Sequence, residues 1–324
     1  LFACFEVTDI GSFAFNKDVE LLPIFRFAPS PNGELHLGHA FSALLNQALA
    51  SVAGGTLLVR LEDIDLARCS PVLEARLLDD LAWLGIVSAH PPRRQSEHFA
   101  DYAAALEALQ SEGLVYPAFM TRGDVREHAQ NCEHASGIAY PRDPDGAYLY
   151  PGEEKRLSRS EQQAMVDDGQ PFAWRLDMQA ALSRTGPVQF CELSGDEGTV
   201  EVQAEPHLWG DVILARRDVP TSYHLSVVVD DALQSISHVV RGADLMPSTS
   251  VHRVLQSLLG LPEPLYHHHR LILDADGGKL SKSRGSTSLA ALRAAGLTPL
   301  DIARMVGLQD IQLSASAEIE HPER

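Results

Sequence analysis

Cysteine is scarce. Cys4, Cys69, Cys132 and Cys191 are the whole supply in 324 residues, and no two form a Cys-x-x-Cys pair. That spacing excludes a disulfide framework and fits reduced thiols in the cytoplasm. Long apolar runs are missing too: no stretch approaches the roughly 20 residues needed to span a bilayer. The opening LFACFEVTDIGSFAFNKDVELLP carries Glu6 and Asp9 where a secretory signal needs a basic start and an unbroken apolar core. Residues 1–22, which begin with Leu, are expected to be an extension outside the folded body. Positive charge is the third shortage. Lys and Arg number 26 against 44 Asp and Glu, a formal charge of -18. Phosphate attraction dominates non-specific nucleic-acid affinity, so a general nucleic-acid binder is excluded and any RNA must be met through a local basic surface.

Other elements are plentiful. An apolar share of 45% over this length can build two domains, or one large domain with an insertion. LLPIFRFA reads as a short buried strand, and PSPNGELHLG as rigid turn chemistry around Pro29, Pro31 and Asn32-Gly33. Leu37, Phe41, Leu44, Leu45, Ala48, Leu49 and Val52 then mark a helical stripe that Gly54-Gly55 ends. TLLVRLEDID is a second strand that finishes in acids. Ser70-Pro71 starts a helix whose Leu73, Leu77, Leu81 and Leu84 face inward. This alternation predicts an α/β fold with a doubly wound parallel sheet. The expected divisions are a first catalytic half over 23–115, an inserted α+β subdomain over 116–205, a second half over 206–289 and a short helical tail over 290–324. The sequence shows no repeats and no low-complexity segment.

The stretch FAPSPNGELHLGH places His36 and His39 at a strand-to-helix junction. Ligands of open α/β sheets sit at such carboxyl ends, and a helix N-terminus attracts phosphate. The two imidazoles can add donors, and Gly38 between them leaves room for a planar base. Alone, they read more simply as surface or capping residues. GGKLSKSRGS brings Lys279, Lys282 and Arg284 among serines after Gly277-Gly278, and alone could be a solvated charge run. Together the two stretches point to a bound triphosphate. The run His267-His268-His269 does not read as a metal site, because consecutive strand side chains face opposite ways.

HLGH and KLSKS resemble the signature pair of the class I aminoacyl-tRNA synthetases. RFAPSPNGELHLGH, LVRLEDID, SYHLSVVVDDAL and HVVRGADL are similar to the glutamyl branch, and the likeness runs from Arg26 to Leu289. It implies a Rossmann-like core that joins L-glutamate to Mg-ATP and passes the adenylate's acyl group to RNA. Pro29, His36, Gly38, His39 and Lys282 would meet ATP, with His36, His39, Lys279 and Lys282 as the catalytic set. Arg26, Ala28, Ser30, Glu62, Tyr223 and Arg241 would line the glutamate pocket. Arg26 and the second guanidinium, Arg241, suit a carboxylate in fork geometry, and Glu62 suits the α-ammonium. Structural ion pairs for the arginines and a core role for Tyr223 stay open here, while Asp63 and Asp65 are read as holding the strand end.

Only about 35 residues follow STSL, too few for an anticodon-reading domain. That, with DLAWLG, RRQSEHFADY and YHHH, resembles the truncated branch that attaches glutamate to the queuosine base of tRNA(Asp). A compact synthetase charging an acceptor end and a non-catalytic paralogue are the alternatives; a monomer is expected. Many members of that branch carry a zinc site in the insertion. Here Ala118, Met120 and Glu154 stand where its cysteines would be, beside a retained Tyr150, so no zinc is expected. Lys282→Ala is expected to abolish glutamate-dependent ATP turnover in a protein that still folds. Wild-type turnover in that variant would remove Lys282 from the machinery.

Overall fold

The computed structural model describes residues 22–194, 198–216, 218–273 and 287–308. The expected extension (all but Leu22), Lys279, Lys282 and the end of the tail lie outside the described residues. The first part runs β1 (Ile24–Phe27), α1 (Leu37–Val52), β2 (Thr56–Leu61), α2 (Pro71–Trp83), β3 (Arg93–Arg94) and α3 (Phe99–Ser111). Next come β4 (Val115–Ala118), α4 (Arg122–Ser136), α5 (Arg159–Asp167), β5 (Ala173–Leu176), α6 (Met178–Thr185), β6 (Gln189–Leu193), β7 (Thr199–Gln203) and β8 (Ile213–Arg216). The order continues through α7 (Tyr223–Leu233), β9 (His238–Gly242), α8 (Met246–Leu259), β10 (Leu265–His269), α9 (Leu289–Ala294) and α10 (Pro299–Met305).

The large sheet has the order β3-β2-β1-β9-β10-β6-β7, parallel except for β7 at its edge. Both faces are covered. Leu57, Val59 and Leu61 enter a core shared with Phe41, Leu44 and Ile302, whereas Leu58 points into the core built by Tyr102, Val228 and Leu255. Continuous apolar strands are what a sheet buried on both faces requires. Local signals start and stop the helices. Ser70 Oγ accepts the Leu73 N–H, with Pro71 in the first turn of α2. After α1 the chain turns through Gly54 at φ +65°, and a Cβ on Gly55 would lie 2.2 Å from the Pro23 carbonyl oxygen. Gly55 is therefore what lets β2 start beside β1.

The two sheets do not divide where the expected insertion ends. β6 and β7 fall within 116–205 yet extend the large sheet, with Tyr266 of β10 paired to Glu192. β8, from the expected second half, instead pairs with β5 in a small antiparallel sheet of order β4-β5-β8. These strands are four or five residues long, and apart from the β6–β7 hairpin their partners are remote in sequence. No local periodicity announces such pairings. No helix among the described residues is long and apolar enough to cross a membrane.

One polar cluster crosses from the sheet to α7. Arg60 of β2 is wholly buried and donates to Asp231 at 2.7 Å and to Gln234 at 3.1 Å. Its Nε lies 3.7 Å from Asp230, which also receives Arg93, Gln95 and the Tyr102 hydroxyl. Asp230 and Asp231 sit near the C-terminal end of α7, where the helix dipole disfavours negative charge. Arg26, Arg60 and Arg93 overcome that. Burial alone would lower the Arg60 pKa, but Asp231, Glu62 and Asp230 raise it well above its ordinary value. Arg60→Met removes the central cation and leaves two buried carboxylates underpaired. The expected loss is about 3 kcal/mol, read as a lower urea midpoint at unchanged slope; a wild-type midpoint would show that the cluster contributes no stability.

Candidate functional site

At the carboxyl ends of β1, β2 and β9 the sequence-predicted residues converge. β1 delivers Arg26, 4% exposed, whose Nε donates to Asp231 Oδ1 at 3.1 Å. Its terminal nitrogens have no hydrogen-bond partner among the described residues. The open question about Arg26 thus resolves both ways: one side of the guanidinium is a structural ion pair, and the other is unused. Beyond the strand, Ser30 Oγ donates to the Glu62 carbonyl at 2.6 Å, and Glu62 N donates to the Pro29 carbonyl at 3.1 Å. Those bonds clip the PSPNG turn, with Ala28 at its start, to the end of β2. Glu62 Oε1 is 3.3 Å from Arg60 Nη2. Burial raises the Glu62 pKa against the opposing pull of Arg60 and Arg26.

Tyr223 opens α7, capped by Ser222, and its hydroxyl lies 3.2 Å from Arg241 Nη1. Arg241 of β9 is 5% exposed. The charges of Arg241, Glu62 and Arg26 all act on the Tyr223 phenol, whose pKa burial raises. Two guanidinium groups, a phenol and a carboxylate therefore lie within electrostatic reach of one another. Asp63 accepts from Ser96 N and Oγ, and Asp65 pairs with Arg68, which is the strand-end role expected of them.

The two histidines of HLGH cap α1. His36 Nδ1 accepts the Gly38 N–H at 3.1 Å, and His39 Nδ1 accepts the His36 N–H at 3.2 Å, a capping box made of imidazoles. Their ring centroids are 3.9 Å apart. With Nδ1 accepting, the proton of each neutral ring sits on Nε2. A Cβ on Gly38 would lie 3.0 Å from the His36 ring. Glycine at this position therefore makes room for the cap itself as well as for any base above it. His36 also bridges to Ser288, and Leu289 N donates to the Leu35 carbonyl at 2.8 Å. The chain leaving the KLSKS stretch is thus tied to the helix start; Lys279 and Lys282 themselves lie outside the described residues.

At the position of the family's zinc, the residues present do not fit the ion. Glu154 Oε1 accepts from Phe119 N at 3.0 Å and from the Tyr150 hydroxyl, while that hydroxyl accepts from Met120 N at 3.2 Å. Tyr150 and Ala118 pack with Tyr116, Val125 and Met120. A carboxylate, a phenol and a thioether do not make a closed tetrahedral set of thiolates and imidazoles. Among the described residues no group of three or more His, Cys, Asp or Glu could hold a metal ion.

Sequence reasoning passed over Arg60, Asp230 and Asp231. Their signal was present: a charge inside TLLVRL and a pair ending SVVVDD. The histidine triplet is buried, His268 stacking on Tyr266 on one face and His269 meeting Phe41 edge-on on the other. Burial is the main cause that lowers the pKa of His224, His238 and His269 to about 4, and it also depresses those of His252, His267 and His268. An unfolded chain takes up these protons near pH 6.5, whereas the folded one resists them to lower pH, His224, His238 and His269 until about 4. The stability they contribute is full above pH 6.5 and is lost as pH falls from 6.5 towards 4. The melting temperature is expected to drop steeply across that window; a flat profile would contradict neutral burial.

Comparison with known proteins agrees with this geometry. The family described as "tRNA synthetases class I (E and Q), catalytic domain" matches residues 24–323. A protein of Rhodobacter capsulatus named glutamyl-Q tRNA(Asp) synthetase is 46% identical over 289 residues, covering 88% of this chain and 100% of that protein. One of the same name from Symbiobacterium thermophilum is 37% identical, over 85% of this chain and 82% of its own length. A crystal structure of a glutamate tRNA ligase from Elizabethkingia meningosepticum, in complex with its amino acid, superposes with a TM-score of 0.71 at 26% identity. That match covers 89% of this chain and 61% of the ligase, so the chain spans less than two thirds of its solved neighbour. The matched family and the relatives together show that this chain belongs to the class I tRNA synthetases of the E and Q group.

Proposed function

We propose that this protein activates L-glutamate with Mg-ATP as glutamyl-adenylate and transfers the glutamyl group to the queuosine base of tRNA(Asp). The observation that carries the reading is the convergence of Arg26, Tyr223, Arg241 and Glu62 beside the imidazole-capped start of α1. A dicarboxylic amino acid needs cations for its side-chain carboxylate and an anion for its ammonium, and that donor set supplies both. Ala28 and Ser30 line the same pocket through the clipped turn. Glutamate so held presents its α-carboxylate towards the helix N-terminus, where Pro29, Gly38 and the two imidazoles receive ATP.

Attack of the α-carboxylate on the α-phosphorus of Mg-ATP breaks the bond to pyrophosphate in line. A hydroxyl of the RNA then attacks the mixed anhydride and releases AMP. No protein nucleophile is required, so catalysis is positioning and charge stabilisation. His36 and His39 hold phosphate oxygens; Lys279 and Lys282 neutralise the charge that grows on the leaving pyrophosphate. Mg2+ enters with its nucleotide as substrate. The names of the two curated relatives support the queuosine acceptor, and the likeness to a glutamate tRNA ligase supports a second reading, the charging of an acceptor end.

Labelled glutamate incubated with ATP and purified tRNA(Asp), with and without queuosine, beside tRNA(Glu), separates these readings. Label on queuosine-containing tRNA(Asp) alone is the expected result. Label on tRNA(Glu) would replace it with the compact synthetase, and label on none of the RNAs would refute both acceptors.

A further inference from the structure

Arg241 is buried with no ion pair to any described carboxylate, yet four of its five N–H groups are accepted. Its Nε donates to His268 Nε2 at 3.3 Å, Nη1 to Tyr223 and to His252 Nδ1 at 3.2 Å each, and Nη2 to Thr249 Oγ1 at 2.7 Å. Every one of these acceptors is neutral. A guanidinium only donates, so it dictates the proton positions around it. His268 must present a bare Nε2, and its Nδ1–H then donates to Glu192 Oε2 at 2.8 Å. The Thr249 hydroxyl, wholly buried, accepts the Arg241 N–H and donates its own O–H to His268 Nε2 at 3.0 Å. His252, bare at Nδ1, donates from Nε2 to His224 Nδ1 at 3.2 Å.

Glu192 closes this chain from β6 on the far side of the imidazole. It is half-occupied already, since its Oε1 accepts the His268 backbone N–H. The result is a cation held rigidly from behind by three elements, β6, β10 and α8, with its nearest hydrogen-bonded anion one imidazole away. Buried charges in proteins are ordinarily paired. We propose that Thr249, His268 and Glu192 are positioning residues that keep Arg241 as an uncompensated charge and thereby set the preference for a carboxylate side chain over its amide. This rests on the pocket reading given above. A carboxylate completes the pair; an amide of the same shape leaves the guanidinium buried and unneutralised. Loss of a partner from a buried polar group costs more than a mere change of fit, which is why such a site rejects the wrong ligand strongly.

The test is ATP–pyrophosphate exchange with L-glutamate and with L-glutamine. Thr249→Val keeps the side-chain shape and removes the hydroxyl. It is expected to raise the glutamate KM about 10-fold, with a far smaller change in kcat, and to narrow the glutamate-over-glutamine ratio of kcat/KM by a similar factor. Thr249→Ser restores both. Glu192→Gln is expected to act in the same direction, because an amide cannot accept from both His268 donors. A merely structural shell would lower the melting temperature and leave the ratio alone. Folded Thr249→Val and Glu192→Gln proteins with wild-type KM and ratio would overturn the proposal, as would loss of folding in both. Wild-type protein without glutamate-dependent exchange would instead refute the pocket reading itself.

Discussion

A guanidinium sealed from water, that of Arg60, holds the strands to α7, and the pocket depends on it. Desolvating a charge is costly, and only near-complete pairing offsets it. Arg60 meets that condition through Asp231, Asp230 and Glu62. Asp231 is shared with Arg26, whose Nε it occupies. The same carboxylate therefore satisfies one arginine structurally and sets the orientation of the next. Glu62, held by Arg60 from behind, is likewise placed by a residue that never meets a ligand. The pocket is rigid because its floor is an ion network and not a layer of loops.

The pocket also reconciles an acidic protein with anionic substrates. A formal charge of -18 repels nucleotides at long range. Within a few ångströms the balance differs. Arg26 and Arg241 lie where burial keeps the neighbouring His252 and His268 neutral, and where the start of α1 adds its own partial positive charge. Attraction is thus confined to the place where a triphosphate and a dicarboxylate would lie. Salt screening of the remaining surface leaves that short-range field largely intact, because buried charges are screened much less than exposed ones.

Much of this was readable in the sequence, and for definite reasons. The β1-α1-β2-α2 alternation, the Ser70-Pro71 start and the junction at His36 are local patterns, and local patterns survive without a structure. Arg26, Glu62, Tyr223 and Arg241 came through long family strings, and in the structure their charges act on one another. The strand order was not readable, since β1 pairs with β9 and β10 with β6 across long separations. Arg60, Asp230 and Asp231 look like interruptions of apolar runs until the helix and the sheet are superposed. Thr249, His252 and Glu192 carry no motif at all; they gain meaning only from the atom they surround. Lys279 and Lys282, the residues most plainly announced by sequence, lie outside the described residues.

The imidazole capping box at the start of α1 has a consequence for how substitutions there are interpreted. In most enzymes a ligand-binding side chain can be trimmed to alanine with little effect on the scaffold. Here His36 and His39 satisfy backbone donors of the very helix whose N-terminus they decorate. Alanine at either position would fray the first turn, at about 1 kcal/mol, and shift the phosphate-facing N–H groups together with the missing ring. Asparagine at 36 keeps a cap acceptor while deleting the imidazole. The difference between the alanine and asparagine proteins is therefore a measure of helix fraying, and what remains in the asparagine protein belongs to the ring. At this turn the proposed ATP contact and the scaffold share the same atoms.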